Sequence, residues 1–395
     1  MVYWKVIRFI TLSAKIQWPL LIRNIGSNGS NKQKKALLYY KTDPFLMPWL
    51  VDEYRHTNLW EITEIVNILN RFGFSVDIVD RNLNNFVPEN KYSLFLGLGA
   101  GLSGKYFFKY GSRLSKAKKV LIAAGPEPQI SNKLVLARYK LFDKRWNVSS
   151  SPMRLTEGLQ FLNFCKITDY FLVIGEKGTF CPDTYKKFKI PILNYFPSSY
   201  PAIKFYPDWI LSRRRKSFLC FVGNGFICKG VDILVEAFLQ MPSAELHICG
   251  PGDEKIFFDV YGDLIKKSKN IFYHGFVKVG SRKFDELCGI CRYTILASSS
   301  EGCATSVTTT LRAGMVPILT SETGVKIDSY GFKIKSDIHN LVKTTIIACE
   351  NAMHISDVEY AKRVWMALQD SQKYTQDSFT KTFESAILNI IKEDL

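Results

Sequence analysis

The sequence predicts an α/β protein made of two doubly wound domains that face each other across a cleft. Three observations predict this. Short apolar runs of strand length alternate with helix-period segments along most of the 395 residues, the pattern of parallel βαβ units with helices on both faces of a sheet. The alternation breaks once, around Pro191–Lys216, where prolines at 191, 197, 201 and 207 lead into the basic run Arg213–Lys216; such a stiff, polar passage is typical of a link between domains. It then restarts. At about 150 residues per domain, the chain is long enough for two separate cores.

In the first half the expected strands are ALLYY (36–40), FSVDIV (74–79), LFLGL (94–98), VLIAA (120–124) and YFLVIG (170–175). Between the first two, Leu59, Ile62, Ile65, Leu69 and Phe72 recur at helical spacing, with Gly73 as C-terminal cap. In the second half the expected strands are SFLCFVG (217–223), AELHICG (244–250), NIFYHGF (270–276), YTILAS (293–298) and VPILT (316–320). Val231, Leu234, Val235, Phe238 and Leu239 mark a helix face after the first of these. Near the end, Phe379, Phe383, Ile387 and Ile391 give 374–395 an apolar helical face expected to pack back across the cleft. The boundaries are therefore 1–31 for an amphipathic segment and linker, 32–205 and 206–373 for the two domains, and 374–395 for the returning helix. In the first segment Lys5, Arg8 and Lys15 share a helical face, with Trp4, Ile7, Phe9, Ile10 and Trp18 around the rest. That composition suits a membrane interface or a packed terminal helix, and Gly26–Asn31 reads as a flexible linker.

Composition narrows the classes. At 47% hydrophobic and 23% charged residues the chain is globular and not disordered. It has no charge-free apolar stretch of membrane-spanning length and no small-residue cleavage site after an apolar core, so neither a transmembrane helix nor a signal peptide is expected. The nine cysteines are odd in number and sit mostly in apolar runs, which points to reduced, buried thiols of a cytoplasmic protein. Cys288 and Cys291 form a C-x-x-C with no second pair and no histidine at zinc-finger spacing, so helix packing is the expected role. The net charge of +17 is concentrated in one half: residues 1–200 hold 29 Lys and Arg against 14 Asp and Glu, and residues 201–395 hold 24 against 22. A one-sided basic surface attracts an anionic leaflet, a phosphate-bearing substrate or nucleic acid. The last is the least favoured, because no recognition motif and no RNP-like aromatic pattern accompany the charge.

Two segments carry chemistry. In FVGNGFICKG (221–230) a strand ends at Gly223, a loop bearing Gly225, Lys229 and Gly230 follows, and a helix opens near Val231. Free amides at a helix start, with a lysine ahead of them, suit a diphosphate. A Walker loop is excluded because G-x-x-x-x-G-K-[ST] is absent. In Ser298–Val307 small residues surround Glu301 and run into a second helix, again offering amides. Glu301, at a strand's carboxyl end, is placed to accept hydrogen bonds from sugar hydroxyls or to partner the helix dipole. Gly99, Gly101 and Gly104 fit G-x-G-x-x-G, but no acidic residue follows at a strand end about 20 residues on, so a glycine-rich loop on the cleft floor is expected and not a dinucleotide site. His56, Glu61 and Glu127 are acceptor-side candidates, any one a base if the reaction inverts configuration. His274 is expected to be structural.

In order and spacing these segments resemble the C-terminal domain of GT-B glycosyltransferases of family four (glycosyl transferases group one). The matching pattern is FVG and KGVDIL, LHICGPG, NIFYHGFV, SEGCATSV, AGMVPILT and ETG, over about residues 217–330. More loosely, HTNLWE (56–61), the run around Gly125–Pro128 and Tyr170–Pro197 resemble the acceptor-side domain of bacterial members that build surface polysaccharides. The resemblance implies two Rossmann-like domains and a cytoplasmic hexosyltransferase, peripheral at the inner face of the membrane. It implies a nucleotide diphosphate sugar as co-substrate, a glycan or lipid-linked acceptor, no metal, and retention of configuration. It implies that Lys229 holds the donor diphosphate, Glu301 meets the sugar hydroxyls, and the backbone of Ala304, Thr305 and Ser306 cradles phosphate. Gly223, Asn224, Gly225 and Gly250 would line the donor pocket, and Phe276 and Val277 would border the base. Two positions depart from the family. Asn224 stands where an arginine is usual, and Thr309 stands where a second glutamate, seven intervening residues after the first, is assigned to the ribose. Either marks a different donor or a catalytically silent protein of the same fold.

Overall fold

A computed structural model describes residues 20–30, 33–48, 57–99, 106–156, 158–201 and 203–392. The first domain is built on β1 (Leu21–Ile25), β2 (Lys35–Tyr40), β3 (Ser75–Asp80), β4 (Leu94–Leu98), β5 (Lys118–Ala123), β6 (Tyr170–Ile174) and β7 (Ile192–Tyr195). The sheet order is β1-β3-β2-β4-β5-β6-β7; β1 runs antiparallel to β3 and the other pairings are parallel. Its helices include α1 (Thr57–Arg71) and α2 (Pro128–Trp146). The second domain carries β8 (Arg214–Phe221), β9 (Glu245–Cys249), β10 (Ile271–Tyr273), β11 (Cys291–Leu296), β12 (Val316–Leu319) and β13 (Phe332–Lys333), all parallel, in the order β10-β9-β8-β11-β12-β13. Around it lie α3 (Val231–Leu239), α4 (Lys255–Lys267), α5 (Arg282–Ile290), α6 (Thr305–Arg312), α7 (Leu341–His354) and α8 (Asp357–Ser371). A last helix, α9 (Gln376–Lys392), returns to the first domain. There Phe379 packs edge-on against Trp60 and Tyr195, with ring centroids 5.6 and 5.8 Å apart, and Lys118 Nζ donates to the Ile390 carbonyl at 2.8 Å.

The central strands are buried on both faces, as in β2, where Ala36, Leu37, Leu38 and Tyr39 have no exposed surface. Such continuous apolar runs are what a sheet sandwiched between helices requires. Three sequence readings need correction. Part of 1–31, set apart as segment and linker, forms the edge strand β1, in which Ile22 pairs with Ile78 and the Asn24 amide donates to Asp77 Oδ1 at 2.7 Å. An edge strand covered on one side only leaves a weak apolar signature. The amphipathic stretch 1–19 lies outside the described residues. The passage Pro191–Lys216, read as a link, contributes β7 and the first residues of β8. Arg213 is not solvated: its guanidinium donates to the carbonyls of Cys288 at 2.8 Å, Ala313 and Gly314, a planar fork of donors satisfied by backbone.

None of the nine cysteines is in a disulfide. Cys288 and Cys291 sit in an apolar cluster with Leu219, Val277, Phe284 and Leu287, and burial pushes both thiols up. No helix among the described residues is long and apolar enough to cross a membrane.

Candidate functional site

The turn between β8 and α3 and the turn between β11 and α6 lie side by side. Gly230 caps α3 in the left-handed region, at φ +76°. A Cβ added there would fall 2.2 Å from the Ala297 carbonyl oxygen, so only glycine lets the loop press onto the end of β11. The two turns are then stitched by Ser299, whose amide and hydroxyl both donate to the Cys228 carbonyl, at 2.9 and 2.8 Å. This brings Lys229 and Glu301, 72 residues apart in sequence, into direct contact: Lys229 Nζ donates to Glu301 Oε1. Lys229 is 6% exposed and Glu301 9%, so the pair is shielded from bulk water. Ser298 Oγ donates to the same carboxylate at 3.3 Å.

A third charge enters from the other domain. Arg154 Nη2 lies 3.6 Å from Glu301 Oε2. Burial works to raise the Glu301 carboxyl, but the Lys229 and Arg154 charges outweigh it and hold the group below the usual carboxylate range. The Glu301 charge in turn raises Arg154. Nearby, Glu254 just before α4 accepts from the Ile227 amide at 3.0 Å and from the Tyr139 hydroxyl of α2. Gly250 makes room for the ring of Phe226, which a Cβ would approach to 2.6 Å.

At the start of α6, Ala304 is the N-cap and the Thr305 and Ser306 amides have no carbonyl within the helix to meet. Gly223 and Asn224 are exposed, Gly225 is buried at φ +87°, and Phe276 is 75% exposed beside the loop after β10. Four expectations change. Thr309 is 0% exposed and donates back to the Thr305 carbonyl at 2.7 Å, the usual recourse of a hydroxyl inside a helix, and so presents no surface. Val277 is turned into the core, leaving Phe276 alone at the surface. Glu127 does not face the cleft: it is 0% exposed and caps α2 through the Ile130 amide at 2.9 Å, with Lys187 Nζ at 3.1 Å. Glu61 is engaged, accepting from the Ser198 amide at 2.9 Å and hydroxyl at 2.8 Å, and burial raises its carboxyl. His56, Gly101 and Gly104 lie outside the described residues. His274 stacks on His247, Nε2 to Nδ1 at 3.0 Å, and burial pushes it down to about 4, so it is neutral and structural.

The carboxyl ends of the two sheets meet at Gly302, where an added Cβ would come 2.7 Å from the Ala124 carbonyl oxygen and 2.7 Å from Ile174 Cγ2. Around this contact Ser131 Oγ and Ser300 Oγ are 2.8 Å apart, Arg138 donates to the Ala297 carbonyl, and Glu176 takes Lys326 at 2.9 Å and Lys373 at 2.8 Å. A cavity of about 60 Å³ opens between α2 and the ends of β11 and β12, lined in part by Arg138, Ser298, Ser299, Thr320 and Glu322. Arg154, Arg138 and Glu254 were not legible in the sequence, because each acts across more than one element and leaves no local pattern.

Residues 207–327 match the family described as Glycosyl transferases group 1. In fold the chain is similar to sucrose-phosphate synthase from Thermosynechococcus elongatus, at 12% identity and a TM-score of 0.60, covering 92% of this chain and 100% of that one. It is similar to Anabaena HepE in complex with UDP and glucose (11% identity, TM-score 0.54, covering 91% and 100%). It is also similar to WaaG, a glycosyltransferase involved in lipopolysaccharide biosynthesis (13%, 0.54, covering 89% and 99%). The chain spans little more than half the length of some larger neighbours, such as 56% of the pneumococcal O-GlcNAc transferase GtfA in complex with UDP and GlcNAc. None of the curated proteins matches it in sequence.

Proposed function

We propose a reaction for a chain that belongs, through residues 207–327, to the glycosyl transferases of group 1 and folds as a GT-B glycosyltransferase. It moves a hexose from a nucleoside diphosphate sugar to a hydroxyl of a glycan or lipid-linked oligosaccharide, in surface polysaccharide synthesis. The observation that carries this reading is the meeting of Lys229 and Glu301 where two βα turns join. As the bond from the sugar's C1 to the diphosphate oxygen breaks, the electron pair leaves with the diphosphate, and negative charge grows there. In this reading Lys229 and the Thr305 and Ser306 amides neutralise it, and no metal is included. Glu301 accepts hydrogen bonds from the sugar hydroxyls. The acceptor oxygen bonds to C1 and gives up its proton to the departing diphosphate oxygen.

Retention of configuration is part of the proposal. It is supported by the engagement of both described carboxylates offered as a base, Glu61 with Ser198 and Glu127 with the Ile130 amide and Lys187. Uridine is the base to test first, since the Anabaena neighbour is complexed with UDP and glucose. The basic first half would meet an anionic leaflet or a phosphate-bearing acceptor on the cytoplasmic side, each surface lysine or arginine adding about 1 kcal/mol.

Thermal shift with UDP, GDP, ADP, NAD and single-stranded DNA tests the assignment, since a ligand at 100 times its Kd stabilises by about 2.7 kcal/mol. One nucleoside diphosphate should stabilise the chain, and Lys229→Ala should remove that stabilisation and turnover. Because it leaves the buried Glu301 without its nearest cation, the unliganded melting temperature should fall too, so the ligand-induced shift is read against the variant's own unliganded value. The buried Thr309 favours a second reading, a silent protein of the same fold. Failure of every nucleotide to bind would establish that reading in place of the first.

A further inference from the structure

We propose that Arg154 of the first domain is the second cation of the donor-diphosphate site, so that the site is complete only when the two domains are closed. This rests on the donor-site reading above. Within 221–230 the loop supplies one cation, Lys229, and the exposed Asn224 is neutral. The other positive charge arrives from across the cleft. Lys229 holds one oxygen of Glu301, and Arg154 stands 3.6 Å from the other. The two cations therefore flank one carboxylate from either side, as they would flank neighbouring oxygens of a diphosphate.

The arginine is held in place by its surroundings. Its backbone lies in the left-handed region at φ +65°, a conformation that an L-residue keeps only when packing over-determines it. Two residues on, Thr156 is clamped to Asn132 of α2, its amide donating to Oδ1 at 2.9 Å and its carbonyl accepting from Nδ2 at 2.6 Å. The Arg154 stem lies over Gly225, where an added Cβ would fall 3.0 Å from Cδ. The Arg154 side chain as a whole keeps part of its surface exposed. The two cations share one carboxylate, and a diphosphate with two or more negative charges would compete with Glu301 for both of them. Glu301 bridges the domains; a bound diphosphate would draw the cations to its phosphates and free Glu301 for the sugar. Arginine suits this exchange because its planar fork can hold two oxygens at once.

The test is calorimetric binding of UDP, GDP and ADP, and of their nucleosides, to the full chain and to its Arg154→Ala and Arg154→Lys variants. Arg154→Ala should weaken the nucleoside diphosphate by about 10- to 100-fold, the range of a charge-assisted contact, and leave the nucleoside within about twofold. Arg154→Lys, which keeps the charge, should lose less than Arg154→Ala. Equal weakening of nucleoside and diphosphate, unchanged diphosphate affinity, or equal losses in the two variants would overturn the inference alone. A parent chain that binds none of the three diphosphates would overturn the donor-site reading and this inference with it.

Discussion

Gly302→Ala probes the closed arrangement directly. The added methyl carbon would sit 2.7 Å from the Ala124 carbonyl oxygen and from Ile174 Cγ2, whereas ordinary contact begins at 3.4 Å. About 0.7 Å of relief is therefore needed. One of the two obstacles is backbone, which cannot rotate out of the way as a side chain can. Overpacking of this kind typically destabilises by about 1–3 kcal/mol. Here the clash is between domains and not inside either core, so the route of relief is separation of the domains. A penalty of that size lowers the closed-to-open ratio by about 5- to 150-fold. Small-angle scattering without ligand should show a larger radius of gyration in the variant, and the affinity for the nucleoside diphosphate should fall by up to the same factor. Melting of each domain should change little. A variant with the parent's scattering profile and the parent's nucleotide affinity would refute the reasoning, because the clash would then have been absorbed within one domain.

Other expectations follow from single residues. Burial pushes Asp232 up to about 6 from its ordinary 3.8, so the fold prefers its protonated form; that stability is fully present below pH 3.8 and is lost as pH rises through about 6, by about 3 kcal/mol. Asp232→Asn should thus be the more stable protein at pH 7, with the two denaturation curves meeting near pH 4, and a pH-independent difference would contradict this. Glu127→Ala should lower stability by about 1–2 kcal/mol through loss of the α2 cap and leave saturated turnover intact; a collapse of kcat with normal melting would restore Glu127 as a base. Native thiols should resist Ellman's reagent until the chain is unfolded, because eight of the nine are buried and burial pushes Cys228 up to about 11 and Cys249 up to about 12. Rapid titration of several thiols in the native state would argue against this packing.

Much of the fold could be read from the sequence because the buried strands announce themselves: ALLYY, LFLGL and YTILAS are apolar on both faces, and each became a strand. The helix α2 gave no such signal. Arg138, Tyr139 and Phe142 on it are all buried, yet two of the three are polar, because their partners Ala297 and Glu254 belong to the opposite domain. A pattern read along one chain segment cannot anticipate a surface supplied from more than 100 residues away. The donor loops were legible because glycine, lysine and small residues cluster at strand ends for a local reason. The direction of a side chain was not, and that separated Glu301 from Glu127. Both follow a strand's carboxyl end, but Glu301 meets Lys229 while Glu127 folds back onto its own helix.

The same contacts indicate how the cleft opens. Around Gly302 the domains are joined largely by polar groups: Ser131 with Ser300, Arg138 with Ala297, and Glu176 with Lys326 and Lys373. Each such bond is worth only about 0.5–3 kcal/mol net, because water replaces it on opening. Apolar packing adds to these: Phe142 and Trp146 of α2 lie against Tyr261 of α4, with ring centroids 6.2 and 5.4 Å apart, and α9 buries Phe379, Phe383 and Ile387 against the first domain. The two chain crossings between domains are tied together, since the Ser199 amide donates to the Tyr374 carbonyl at 2.8 Å and Arg312 Nη1 donates to the Tyr200 carbonyl at 2.8 Å. Separation of the domains at these crossings would part Arg154 from Lys229 and Glu301, which face each other across the cleft, while Glu61 would stay with Ser198 inside the first domain.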